Sequence, residues 1–156
     1  MSEHFTYNVT VQDAWLDHNQ HMNDAEYNRV FSDTTDAWLA HLGLDTDTIA
    51  EIGYTVFTLE NHLIYKKEVP QNEKLSVKVR LIDYDAKRCH VFMELSDSKE
   101  DICATYEVML MGIDTASGRP APFPDNIMKK VEEESTLEES AENPKELGRQ
   151  IGIKHK

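Results

Sequence analysis

Between Phe5 and Val11 the chain alternates, with Phe5, Tyr7, Val9 and Val11 set against Thr6, Asn8 and Thr10. That period of two is what a half-buried β-strand requires. The period then changes. From Asp24 to Leu42 the large or apolar positions are Tyr27, Val30, Phe31, Thr34, Ala37, Trp38 and Leu42. Their spacing of three and four predicts one long α-helix with a single buried face. Asn23 stands where an N-cap is wanted, with Glu26 three residues on as in a capping box, and Gly43 supplies a left-handed stop. A shorter helical piece, Asp47 to Ile52, precedes Gly53, and a β-rich run follows from Tyr54 to Tyr65.

Pro70 to Glu73 form a turn, after which Leu75, Val77, Val79 and Leu81 alternate with Ser76, Lys78 and Arg80. Arg88 to Leu95 and Ile102 to Ile113 supply two more strands, separated by the short polar turns Tyr84 to Lys87 and Asp97 to Asp101. Connections this short leave no room for crossover helices, so the strands must pair antiparallel. The fold class is α+β, with the long helix covering one face of the sheet. Beyond Pro120-Ala-Pro-Phe-Pro124, Met128 to Glu142 reads as an exposed, acidic helix, a solvated appendage. Gly148 to Ile153 is apolar enough to dock somewhere. The organisation expected is one domain over 1–127 and a helical or extended tail over 128–156.

Composition narrows the class. The 156 residues are 40% hydrophobic and 29% charged, with 6 Gly and 5 Pro, which is globular rather than low-complexity. Sixteen Lys plus Arg against 29 Asp plus Glu give a net charge of -13, which repels nucleic acid and anionic lipid. The acid is concentrated early. Met1 to Glu60 holds 11 acidic residues and one basic residue, Arg29, so an anionic ligand must find its partners later in the chain. Met1 to Thr10 carries Glu3 and His4 and no continuous apolar run, so neither a secretory signal nor a membrane span is expected there, and the expected location is cytoplasmic. Cys89 and Cys103 lack companions at metal-ligand spacing and read as small buried hydrophobes on strands.

The densest polar cluster is Asp17-His-Asn-Gln-His-Met-Asn23, between the first strand and the long helix. A helix N-terminus offers unpaired N–H groups and partial positive charge to a carbonyl oxygen, while a nearby carboxylate can attack or activate water. That is the outline of acyl transfer, although Asp, Asn and His are also ordinary loop and capping residues. On the run from Tyr54, period two places Thr58, Glu60 and His62 on one face. There Glu60 and His62 serve either as a base or water-positioning pair, or as hydrogen-bonding partners at a subunit interface. No metal-ligand spacing, P-loop, nucleophile elbow or dinucleotide fingerprint is present.

The combination Asp17-x-x-x-His21-Met-Asn23 with Tyr27 resembles the signature of hot-dog-fold acyl-CoA thioesterases, the superfamily that includes 4-hydroxybenzoyl-CoA thioesterase. Later segments extend the likeness to its betainyl-CoA thioesterase branch of carnitine degradation, over nearly the whole chain. They are Phe57-Thr-Leu-Glu-Asn-His62 with Tyr65, Asp83-x-Asp-x-Lys-Arg-x-His90, Ala121-Pro-Phe-Pro124 and Gly148-Arg-x-Ile-Gly152. The chain departs from the commoner Gly-His-Val-Asn-Asn version by having Gln20 for Gly and Asp24 for the second Asn.

The resemblance implies a five- or six-stranded antiparallel sheet wrapped around the long helix, and a homodimer or homotetramer with active sites between subunits. It implies Asp17 as nucleophile or general base, with Glu60, His21 and Asn23 as further catalytic candidates and the backbone N–H groups of Asn23 and Asp24 as the oxyanion donors. The substrate is an acyl-CoA, coenzyme A being part of the substrate and no cofactor or metal being needed. Its anionic half would meet Lys66, Lys67 and Arg88, with Lys87 and Arg119 as further candidates; His62 is a further substrate contact. A quaternary ammonium acyl group would suit an aromatic cage in the acidic segment, with Trp15 and Tyr27 nearest the site. Two other readings remain open at this level: a hydratase or dehydratase on the same shell, and a non-catalytic acyl-CoA-binding module.

Overall fold

In the computed structural model, which describes residues 3–138 and 142–155, the changes of period fall where the elements change. The order is β1 (Thr6–Thr10), a 3-10 turn (Asp13–Trp15), α1 (Asp24–Leu42), α2 (Thr46–Ile52), β2 (Tyr54–Tyr65), β3 (Lys74–Tyr84), β4 (Arg88–Ser96), β5 (Ile102–Asp114), the two-residue β6 (Arg119–Pro120) and α3 (Asp125–Ser135). A 3-10 turn over Thr136–Glu138 closes this part of the chain. All strand pairings are antiparallel, in the order β1-β3-β4-β5-β2, with β6 on β5. Hairpins join β3, β4 and β5 in sequence, whereas β1 and β2 occupy the two edges.

α1 lies against the sheet through Tyr27, Val30, Phe31, Thr34, Thr35, Trp38, Leu39 and Leu42. The stripe is wider than the spacing predicts, because Thr35 and Leu39 join it and Ala37 is only half-buried. The two buried threonine hydroxyls donate to the carbonyls of Val30 and Phe31, four residues back, at 2.8 and 2.9 Å, and so meet no unsatisfied penalty. Phe31 stacks on Tyr106 of β5, ring centroids 4.7 Å apart, and locks the helix to the sheet centre. Gly43 ends the helix at φ 107°, as its position predicts. The two cysteines are free and buried in β4 and β5.

Three expectations need correction. The capping box does not form: Asn23 Oδ1 accepts from the Ala25 N–H at 2.9 Å, but Glu26 turns to Arg29 at 2.8 Å and the Asn23 N–H donates to the Trp15 carbonyl. The proposed boundary at 127/128 cuts α3, whose buried Ile127 and Val131 belong to the same core. The segment after 128 is therefore not a solvated appendage. The Trp38 indole N–H donates to Glu134 at 2.9 Å, and Glu138 pairs with the buried Arg80 at 2.8 Å. The part of the expected helix over 139–141 lies outside the described residues. Finally, β2 carries a bulge between Thr58 and Glu60. Thr58 opposes the buried Leu110 while Glu60 opposes Met109, so the extra residue puts Thr58 and Glu60 on opposite faces. His62, opposite Glu107, does share the outer face with Glu60.

Candidate active site

The loop from Asp17 to Asn23 is held at both ends by backbone bonds. The Asp17 N–H donates to the His21 carbonyl, and the Gln20 N–H donates back to Asp17, at 2.8 and 3.0 Å. Met22 and Asn23 donate to Val69 and Trp15, at 2.8 and 2.9 Å. Gln20 adopts φ 64°, the left-handed conformation suited to the glycine of the commoner motif. The turn is therefore kept with a residue that strains to make it.

Within it, Asp17 Oδ1 accepts the N–H groups of Asn19 at 2.8 Å and His21 at 3.3 Å. The Asn19 N–H is the main reason its pKa lies below the ordinary aspartate value; desolvation opposes it, and the His21 N–H and the charges of His18 and His21 add smaller lowering contributions. Among the described residues Oδ2 has no such partner. The first N–H of α1, at Asp24, is likewise without a hydrogen-bond acceptor among the described residues. Of the two backbone donors expected at an oxyanion, Asn23 is thus committed to Trp15, and Asp24 remains.

Asp17, His21, Asn23, Asp24, Tyr27, Lys66 and Lys67 all line one open groove of about 400 Å³, together with Met22, Tyr65 and Glu68. Tyr65 meets Tyr27 edge to face at 5.0 Å and donates its hydroxyl to the Asp24 carbonyl at 3.0 Å. Burial pushes the Tyr27 phenol up to about 12, so it remains a neutral donor, directed at the Lys67 carbonyl. Glu68 Oε2 lies 3.5 Å from His21 Nε2. The sequence does not mark Tyr65 and Glu68 as site residues, because their place depends on β2 ending beside the tip of α1. The only local signal was strand alternation, which puts Tyr65 on the helix side.

The lysines of this groove are already spent. Lys67 Nζ sits 2.7 Å from Asp97 and 2.9 Å from Asp101, bonds that raise its pKa and hold Asp97 down to about 2. Lys66 pairs with the buried Glu146 at 2.7 Å. Arg88 lies elsewhere, clamped to Asp85 across the β3–β4 turn. None of the three presents an uncompensated charge. Trp15 is half-buried against the core behind the loop rather than in the groove. Glu60 and His62 line a separate groove of about 360 Å³ on the outer face of the sheet, with His90, Glu107 and Arg149.

A curled antiparallel sheet around one long helix, with a polar turn at the helix tip, defines a hot-dog protein with an acyl-transfer type of site. The model of the thioesterase-like superfamily matches residues 11–131, and the chain belongs to that family. It is 35% identical over 149 residues to the betainyl-CoA thioesterase of Pseudomonas aeruginosa, covering 95% of this chain and 94% of that one. It is also 35% identical over 129 residues to the L-carnitine dehydrogenase/betainyl-CoA thioesterase of Agrobacterium fabrum, covering 83% of this chain but only 26% of that longer protein. Among solved structures, a hypothetical protein from Staphylococcus aureus in complex with CoA superposes with a TM-score of 0.94 at 34% identity, covering 99% of this chain and 98% of that one.

Proposed function

We propose that the protein hydrolyses a short acyl-CoA thioester to the free acid and CoA, with a quaternary-ammonium (betainyl) acyl group preferred. The observation that carries this is the Asp17 groove, where an ionised carboxylate with one free oxygen shares a cavity with the unpaired Asp24 N–H at the positive end of a buried 19-residue helix. The thioester oxygen binds at that helix tip. Asp17 then attacks the carbonyl carbon or takes a proton from the attacking water; the C–S bond breaks, and the CoA thiolate leaves and is protonated. Water is the co-reactant, and coenzyme A enters only as part of the substrate.

The cationic preference is supported by the names of the relatives and by the charge of the groove. Asp17, Asp24 and Glu68 face it while Lys66 and Lys67 are neutralised, and the Tyr27–Tyr65 pair offers aromatic surface. The assembly we propose is a homodimer or higher oligomer joined through β2, with the active sites near the seam. β2 is a 12-residue edge strand that exposes 53% of Phe57 and 50% of Leu59. A cytoplasmic location accords with the two free, buried thiols. Among the described residues no helix is long and apolar enough to cross a membrane.

A panel of purified CoA thioesters, followed by thiol release, tests the reading. Betainyl-CoA should exceed a neutral chain of equal length by about tenfold in kcat/KM, the size of a ~1.4 kcal/mol cation–aromatic term. Equal rates would remove the cationic preference; double-bond chemistry without thiol would favour a hydratase, and binding without turnover a carrier. D17N should lower kcat by about a hundredfold or more while melting stays unchanged. Because folding holds the Asp17 pKa below 3.8, the active ionised form is lost only as pH falls below that value. An acid limb at higher pH that persists in D17N belongs to another group.

A further inference from the structure

Two of the sequence motifs, Asp83 to His90 and Gly148 to Gly152, take no part in the Asp17 groove, yet they meet at one side chain. Glu107 Oε2 lies 2.7 Å from His90 Nε2, while Oε1 accepts the Gly148 N–H at 2.7 Å. Gly148 sits at φ 74°, a conformation that side-chain-bearing residues adopt only with strain. The turn before it is fixed from the other side, where the buried Glu146 holds Lys66. The tail is therefore fastened at two points, Glu146 and Gly148, immediately before Arg149.

These fastenings place Arg149 in the wall of the outer groove that Glu60, His62 and His90 also line. Unlike Lys66, Lys67 and Arg88, Arg149 has no carboxylate within ion-pair distance among the described residues. Glu107 opposes an anion there only weakly, because its two oxygens are engaged by His90 and Gly148. Glu60 does oppose one, which directs an anion to the tail side of the groove rather than over β2. A guanidinium on a fixed backbone, with its planar fork of donors unspent, suits a phosphate.

We infer that Arg149 is the cation that receives a phosphate group of the CoA portion of the substrate, an assignment that rests on the acyl-CoA reading above. The closing GR pair is thus a binding element rather than a frayed end. It supplies a free charge where Lys66, Lys67 and Arg88 have spent theirs on neighbouring carboxylates.

Calorimetric titration of the full chain with free CoA, and separately with phosphate-free pantetheine, tests this without requiring turnover. R149A should weaken CoA about tenfold, the scale of one lost charge-assisted contact, and leave pantetheine unchanged. The KM for an acyl-CoA should rise in parallel with kcat within about twofold, and the matching acyl-pantetheine should be insensitive. R119A, in the separate cavity beside α3, is titrated alongside. Unchanged CoA affinity in R149A, equal losses for CoA and pantetheine, or a loss confined to R119A would each overturn the assignment. If the wild-type protein binds CoA through Arg149 but cleaves no thioester, the hydrolase reading fails and the phosphate contact stands.

Discussion

Gln20 shows how a single residue can carry the strain of a backbone shape that suits glycine. Its φ of 64° keeps the turn that lets Asp17 collect two N–H groups on one oxygen. A non-glycine residue in that region loses about 1–2 kcal/mol, and glycine returns about 0.5–1 of this through its greater unfolded-state entropy. Q20G should therefore stabilise the protein by up to about 1 kcal/mol, read as a higher melting temperature with thioesterase activity retained. A lower melting temperature would mean that the Gln20 side chain contributes more than its backbone costs. Asp17 and Asn23 could be picked out from the sequence because a polar cluster ahead of a periodic helix is a local pattern. That Asn23 gives its N–H to Trp15, leaving Asp24 as the donor, could not be read there, since it depends on how the chain doubles back.

At the scale of elements, the long helix and the positions of the strands followed from periodicity, while the order of the strands in the sheet, the bulge in β2 and the docking of α3 did not. One inserted residue at Leu59 costs the pattern nothing locally but reverses the face of everything before it. The acidic run after Met128 looked like a solvated surface because its charges outnumber its apolar residues. What anchors it is a buried cation on another element. Arg80, only 7% exposed, donates to Glu138 through Nε and Nη2 at 3.0 and 2.8 Å and to the Glu142 carbonyl at 2.8 Å. Burial works to raise the Glu138 pKa, but the bonds from Arg80 and His4 leave it lowered, so the pair is ionised. E138A should destabilise by about 2–3 kcal/mol, because it strands a guanidinium out of water. Chemical denaturation reads this directly, and an unchanged midpoint would show that Glu94, 3.8 Å from Arg80 Nη1, and the Glu142 carbonyl suffice for Arg80.

For the whole molecule, the separation of two grooves is the central fact. Asp17 lies at the tip of α1, whereas Glu60 and His62 face outward from the middle of β2. Isologous pairing along the β2 edge would bring two copies together near both features, and it would cover the exposed Phe57 and Leu59. F57D, which would bury a carboxylate on the covered face of each copy, should shift sedimentation from dimer to monomer at micromolar protein. A wild-type chain that sediments as a monomer would remove the seam from the proposal. The sequence by itself determined the α+β class, the extent of α1, the strands and the polar turn ahead of the helix, because periodicity, capping and turn chemistry act over a few residues. Only the tertiary structure decided which charges survive as binding groups. Lys67 and Asp97, Lys66 and Glu146, or Arg149 and the groove of Glu60 are far apart in the chain, and ion pairing depends on distances that exist only after folding.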